Sequence, residues 1–295
     1  MRFPIGEMTV GDILDRGIKL LFARLPVYYA INILVLSPYI LFQIAIPFIV
    51  QGDPGNPATL PAILALSLGA LVVLVILQPI GMAAVLYIIM EEYAGRHVSI
   101  GQALAFGCSR FPTLLGASIL FGLMFIIGWI LCCIPGIYLG ITYIFFGQAV
   151  VLERMNVSES FSRSQSLVTG HRWRVFGVVV LVYIGMIIVT LGVQLGLLAA
   201  LPTQELVPME EGIKVEFNPV NHIVDTLVTQ LVSILFSTYL AVCVTLLYLD
   251  LRIRKEGFDL ELAAEGEGPR PDGNGDDFDD DEGDDRERYR EDRLR

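Results

Sequence analysis

The chain has 295 residues, of which 54% are hydrophobic and 17% charged, and its mean hydropathy is +0.64. Water-soluble domains carry about a quarter charged residues, and no charge interrupts this chain from Ala62 to Met90, so a soluble enzyme is excluded. The net charge of −11 says nothing about a binding site, because residues 265–295 alone hold 14 Asp/Glu against 6 Lys/Arg.

The first 24 residues contain Glu7, Asp12, Asp15, Arg16 and Lys19. They offer no uninterrupted apolar core before a small-residue cleavage site, so the first span is expected to remain as an uncleaved anchor. A bilayer core takes about 20 apolar helical residues. Apolar runs predict six spans, at about 26–50, 62–90, 113–133, 136–152, 173–200 and 223–249. Pro38, Pro47 and Pro79 are expected to kink their helices without ending them. Pro135-Gly136 reads as a tight turn between the third and fourth spans, with one long broken helix as the alternative. Residues 263–295, centred on Asp276-Asp277-Phe278-Asp279-Asp280-Asp281-Glu282, lack the apolar residues needed to offset chain entropy. They predict a disordered acidic tail.

Flanking charge orients the spans. One set of segments carries Arg2, Arg16, Lys19, Arg24, Arg96, Arg110, Arg154, Arg163, Arg172, Arg174, Arg252, Arg254 and Lys255; the opposite set carries only Lys214. This excess predicts both termini on the cytoplasmic side, and the expected location is a bacterial inner membrane. Asn156-Val157-Ser158 fits a glycosylation sequon, but it falls on the cytoplasmic side and is read as chance.

A short amphipathic pattern occurs three times, each time before a pair of spans. The copies begin Thr9-Val10-Gly11-Asp12, Ser99-Ile100-Gly101-Gln102 and Asn156-Val157-Ser158-Glu159. Each has a capping residue followed three positions later by Asp, Gln or Glu, the signature of a capping box at a helix start. Apolar or small residues then recur along one helical stripe: Leu14, Gly17 and Leu21; Leu104, Gly107 and Phe111; Phe161, Ser164 and Val168. These segments, about 9–24, 99–111 and 156–170, are too short and polar to span and predict interfacial helices. The predicted fold is an all-α integral membrane protein: a six-span bundle of three parallel repeats, each an interfacial helix plus a transmembrane hairpin.

Ionisable groups are nearly absent within the spans. Asn32, Gln43, Gln78, Gln148 and Gln194 are polar but uncharged, while Glu91, Glu92, Glu153 and Asp225 sit at span ends. Coupled transport places ionisable groups at membrane depth, so an ion-coupled transporter is disfavoured. Gly136-x-x-x-Gly140 and Gly192-x-x-x-Gly196 are candidate helix-packing positions. Cys108, Cys132, Cys133 and Cys243 show no metal-binding spacing, and His97, His171 and His222 are scattered, so neither a metal nor another cofactor is expected. No nucleophile elbow, phosphate loop or metalloprotease motif occurs, and no basic soluble domain is present for nucleic acid. The residues expected to meet anionic lipid headgroups are Arg24, Arg110, Arg172 and Arg174, with Trp173 as an interfacial anchor.

Two stretches resemble a known family. The ending Tyr248-Leu249-Asp250-Leu251-Arg252-Ile253-Arg254-Lys255-Glu256-Gly257-Phe258-Asp259-Leu260 is one. The other is Ser158–Trp173, through Arg163, Ser164, Leu167, Gly170, Trp173 and Arg174. Both resemble bacterial proteins of the glycerophosphoryl diester phosphodiesterase membrane-domain group, as does Pro135-Gly136 with Tyr138. The resemblance covers about residues 9–262 and implies an integral membrane domain. Some members of that group carry a fused metal-dependent phosphodiesterase; here His171-Arg172 runs into a span, so the enzymatic activity is not implied.

The expected function is therefore a non-catalytic multi-pass protein that organises lipids or partner membrane proteins at the cytoplasmic face. The alternative is a transporter or permease component for a small or lipid-like solute, marked by a polar cavity at Asn32, Gln78, Gln148 or Gln194.

Overall fold

The computed structural model describes residues 8–50, 59–93, 95–131, 133–201, 204–209 and 212–257; the predicted tail at 263–295 lies outside the described residues. In chain order the elements are α1 (Val10–Ala23), α2 (Leu25–Val50), α3 (Thr59–Tyr93), α4 (Ile100–Leu131), α5 (Cys133–Thr142), α6 (Phe146–Leu152), α7 (Val157–Val168), α8 (Arg172–Ala200), β1 (Gln204–Met209), β2 (Gly212–Phe217) and α9 (Pro219–Glu256). Among the described residues, six segments are long and apolar enough to cross a membrane: α2, α3, α4, the α5–α6 pair, α8 and α9. The chain is a multi-pass membrane protein.

Helices α2 and α3 continue through Pro38, Pro47 and Pro79. A proline removes one backbone donor, and the remaining intrahelical bonds have no water to compete for them in hydrocarbon. The same reason underlies a correction. The predicted second interfacial helix, 99–111, is not separate: α4 runs unbroken from Ile100 to Leu131 with Pro112 inside it. The predicted turn at Pro135-Gly136 is also displaced. Both residues lie in the first turn of α5, where N–H groups have no intrahelical partner and proline costs little; α4 ends at Leu131 and α5 begins at Cys133. Between α8 and α9 an antiparallel hairpin pairs Gln204 with Phe217 through Met209 with Gly212.

Packing is concentrated at one end of the bundle, the end that carries Arg24, Glu92, Glu153, Arg174 and Asp250. Tyr28 and Ile31 of α2, Ala83–Ile89 of α3, Val175–Val182 of α8 and Val242–Leu251 of α9 supply most of this core. Away from this charged end the helices present apolar side chains outward, including Leu64 and Leu68 of α3, Ile130 of α4 and Leu195 of α8, each more than 60% exposed. So much exposed aliphatic surface is stable in a lipid solvent and not in water.

The three capped starts are present as backbone geometry. Thr9 N–H donates to Asp12 Oδ2 at 2.8 Å and Asp12 N–H donates to Thr9 Oγ at 3.2 Å. Ser99 and Gln102 make the same exchange at 3.0 and 3.3 Å, and Asn156 N–H donates to Glu159 Oε2 at 3.1 Å. Asn156 of the sequon is thus a helix cap.

Four and eight residues after each cap the chain is buried: Ile13 and Gly17, Ala103 and Gly107, Ser160 and Ser164. The small residue at the second position lets each helix approach a neighbour closely. A Cβ on Gly17 would lie 2.9 Å from Cys243 Sγ of α9, and one on Gly107 would lie 2.6 Å from the Ile80 carbonyl oxygen of α3. Ser164 reaches the interruption between α5 and α6, where its hydroxyl donates to the Thr142 carbonyl at 2.9 Å and accepts from Phe145 N–H at 3.1 Å. One side chain thereby satisfies backbone groups released by the broken helix.

Candidate functional site

Two arrangements stand out: a network of ion pairs at the charged end, and a polar cleft between candidate spans.

The network is built around the last turns of α9. Asp250 is fully buried, and its carboxylate accepts from Met8 N–H at 2.7 Å, faces Arg174 at 3.0 Å and faces Arg254 at 3.1 Å. Glu153, at the end of α6, forms a two-pronged pair with Arg163 of α7, both bonds at 2.8 Å, and accepts the Tyr248 hydroxyl. Arg163 also bonds Glu256. The Glu256 bond, joined by the Glu153 bonds, pushes the Arg163 guanidinium further above its already high range and fixes it as a cation. Lys255 donates to the Ser166 and Thr169 carbonyls at 2.5 and 2.6 Å, closing the C-terminal end of α7. Gly257 then stops α9 with φ of 63°, a left-handed conformation that glycine adopts without strain. Every polar side chain from Tyr248 to Glu256 thus ties α9 to another element or to a helix end.

This network revises the expected headgroup contacts. Arg24 pairs with Glu92 at 2.8 Å and Arg174 with Asp250, so both are held inside the protein. Arg172 lies over the Tyr138 ring, 4.8 Å from its centroid, and Arg110 makes no ion pair with a described residue. Trp173 is 85% exposed. The four candidate packing glycines also divide. Gly136 sits at the α4–α5 crossing, where a Cβ would meet the Trp129 backbone at 3.1 Å, and Gly140 packs against Phe125. Gly192 and Gly196 face open space, so they make no contact within the described chain.

The cleft lies among α2, α3 and α9 and has a volume of about 270 Å³. Its polar lining includes Asn32, Tyr39, Gln78, Gln230, Ser233 and Thr238. At about 1.5 Å per helical residue, Asn32 stands roughly 12 Å and Gln230 roughly 30 Å from the charged end. The row therefore extends through hydrocarbon depth. Asn32 Nδ2 donates to the Tyr28 carbonyl at 2.9 Å and Gln43 Nε2 donates to Tyr39 Oη at 2.6 Å. Gln78, Gln230 and Ser233 have no hydrogen-bond partner among the described residues. Of the amides singled out by sequence, Asn32 and Gln78 line the cleft; Gln148 is buried elsewhere, with its Oε1 unpaired, and Gln194 is exposed on α8. Sequence reasoning missed Gln230, Ser233 and Thr238, although their i, i+3 and i+8 spacing on one apolar helix was a readable signal.

No curated protein and no solved structure matches the chain. A family model does match, over residues 64–251, which takes in the cleft-lining parts of α3 and α9 and the network through Asp250. The chain belongs to the family described as a domain of unknown function, DUF7847.

Proposed function

We propose that the chain is a non-catalytic membrane protein that takes a lipid-like molecule from the bilayer into the cleft among α2, α3 and α9, as a carrier or permease component. The observation that carries this reading is the set of unpartnered polar side chains at hydrocarbon depth, Gln78, Gln230 and Ser233. An unpaired amide in hydrocarbon costs several kcal/mol, so a polar occupant stabilises the protein. The network at the charged end is the rigid base on which the cleft is held.

The three capped helices support a triplicated plan. α1 packs on α9, the start of α4 on α3, and α7 on the α5–α6 pair; each therefore lies on the second span of the preceding unit in cyclic order, as three parallel repeats about the membrane normal require. The positive-inside excess supports a reading in which this end and both termini face the cytoplasm. The likeness of residues 157–176 and 247–260 to glycerophosphoryl diester phosphodiesterase membrane domains accords with a lipid-handling role.

A second reading, organisation of anionic lipids or partner proteins at the cytoplasmic face, is favoured by Arg110, Arg172 and the exposed Trp173. Binding to anionic vesicles that is unchanged when Arg110 and Arg172 are both neutralised would remove it.

The principal reading is tested with a bilayer lipid carrying a diazirine in its acyl chain. Supplied in an equimolar amount to the protein in detergent, so that little lipid is free to coat the outer surface, it should label Leu74, Met82 and Ile234 of the cleft in preference to the outward Leu191 and Leu195 of α8. Equal labelling at both places would contradict it.

A further inference from the structure

We infer that the cleft selects an uncharged lipid with a free hydroxyl headgroup, of the diacylglycerol type, over the same lipid carrying a phosphate. The inference rests on the lipid-binding reading above and names its ligand class.

The hydrogen-bonding inventory of the cleft is mixed. Gln78 and Gln230 each bring two N–H donors and a carbonyl acceptor, and Ser233 brings a hydroxyl; none has a partner among the described residues. Tyr39 accepts from Gln43 and keeps its own O–H as a donor, and Asn32 donates to Tyr28 and keeps its carbonyl as an acceptor. A ligand that only accepts or only donates leaves half of this set unsatisfied. A hydroxyl does both, and ester carbonyls take further donors.

Charge is excluded by the same lining. Tyr39 aside, no lining residue is ionisable. Two cations of the charged end, Arg24 and Arg174, are held by Glu92 and Asp250. A phosphate entering the cleft would lose its hydration without gaining a counter-charge, which is unfavourable at membrane depth.

Size and surroundings favour a lipid headgroup. The volume of about 270 Å³ is below the roughly 300–1,000 Å³ of sites that enclose a whole small molecule. It suits a glycerol-sized group whose chains remain in the bilayer. Val35, Leu36, Leu74, Val85 and Ile234 form the apolar wall along which chains would leave. Val75 and Leu231, within one turn of Gln78 and Gln230, are exposed on the outer surface.

The test uses the full-length protein in detergent and three probes: dioctanoylglycerol, its phosphate, and its methyl ether, each titrated by native mass spectrometry. Dioctanoylglycerol should bind one-to-one and at least about tenfold tighter than either derivative. Gln78→Leu and Gln230→Leu should each weaken it by about tenfold, the equivalent of one good hydrogen bond, while Gln194→Leu on α8 leaves it unchanged. Leucine suits a lipid-facing helix, and thermal unfolding of each variant reports its fold directly. Equal or tighter binding of the phosphate or the methyl ether, or indifference to both cleft substitutions, overturns this inference alone. Failure of all three probes to bind overturns the lipid-binding reading with it.

Discussion

The backbone of Met8 is gripped at both its polar atoms by charged side chains. Its N–H donates to Asp250 Oδ1 at 2.7 Å, and its carbonyl accepts from Arg174 and from Arg254, the latter at 3.1 Å. The residue ahead of the α1 cap is thereby fastened to the end of α9, 242 residues away. Asp250 is the shared partner of all three groups.

Asp250→Ala should therefore cost more than an ordinary surface substitution. It leaves Arg174 and Arg254 without their carboxylate in a buried site, and removing one partner of such a pair costs about 3–5 kcal/mol. Thermal unfolding in detergent measures this. Asp15→Ala, which breaks only an exposed pair with Lys19, should change stability by less than about 1 kcal/mol.

Ser164→Ala should destabilise by about 1–3 kcal/mol, because the Thr142 carbonyl and the Phe145 N–H lose the Ser164 hydroxyl and stay buried. Ser162 is exposed on the opposite face of α7, and its replacement by Ala should be neutral. Equal losses in the two variants would contradict the role given to Ser164.

The glycines make a graded series. Gly107→Ala puts a methyl 2.6 Å from a backbone oxygen, which cannot move without shifting α3, so a loss of about 1–3 kcal/mol is expected. Gly17→Ala meets the Cys243 and Tyr239 side chains, which can yield, and should cost less. Gly101→Ala and Gly192→Ala enter open space and should be neutral or slightly stabilising through helix propensity.

The cap of α1 carries a pH dependence. The Thr9 hydroxyl and N–H hold the Asp12 carboxyl below the usual carboxylate range. A depressed folded-state pKa contributes stability that is present above the unfolded value of about 3.9 and is lost as pH falls through the folded value. Acid unfolding followed by circular dichroism should therefore show a shallower acid limb in Asp12→Asn than in the parent. An identical acid limb would remove this contribution.

The six spans and the three helix starts were legible because both are local: a long apolar run and a cap with its partner three residues on. The charged network was not. Arg24 reads as a headgroup ligand until it meets Glu92, 68 residues away, and Arg174 until it meets the end of α9. The ending from Tyr248 to Glu256 resembled a family without a physical reason visible in sequence; its reason is tertiary, since Glu153, Arg163, Arg174 and Met8 come from four other places in the chain. The continuity of α4 was missed because Arg110 and Pro112 interrupt the apolar run, although neither interrupts the backbone bonding. The cleft was half legible: Asn32 and Gln78 stood out as amides in apolar helices, whereas serines and threonines in α9 looked like ordinary helix-packing residues.

The central claim is that the chain crosses the membrane six times and brings its three capping-box starts, at Thr9, Ser99 and Asn156, and the last turn of α9 to one face. Single cysteines in a cysteine-free background, labelled with an impermeant maleimide in sealed vesicles of known orientation, test it directly. Cysteines at Gly11, Gln102, Gln165 and Lys255 should all react from one side, and those at Leu201 and Asn218 only from the other. Division of the first four between the two sides would contradict the account.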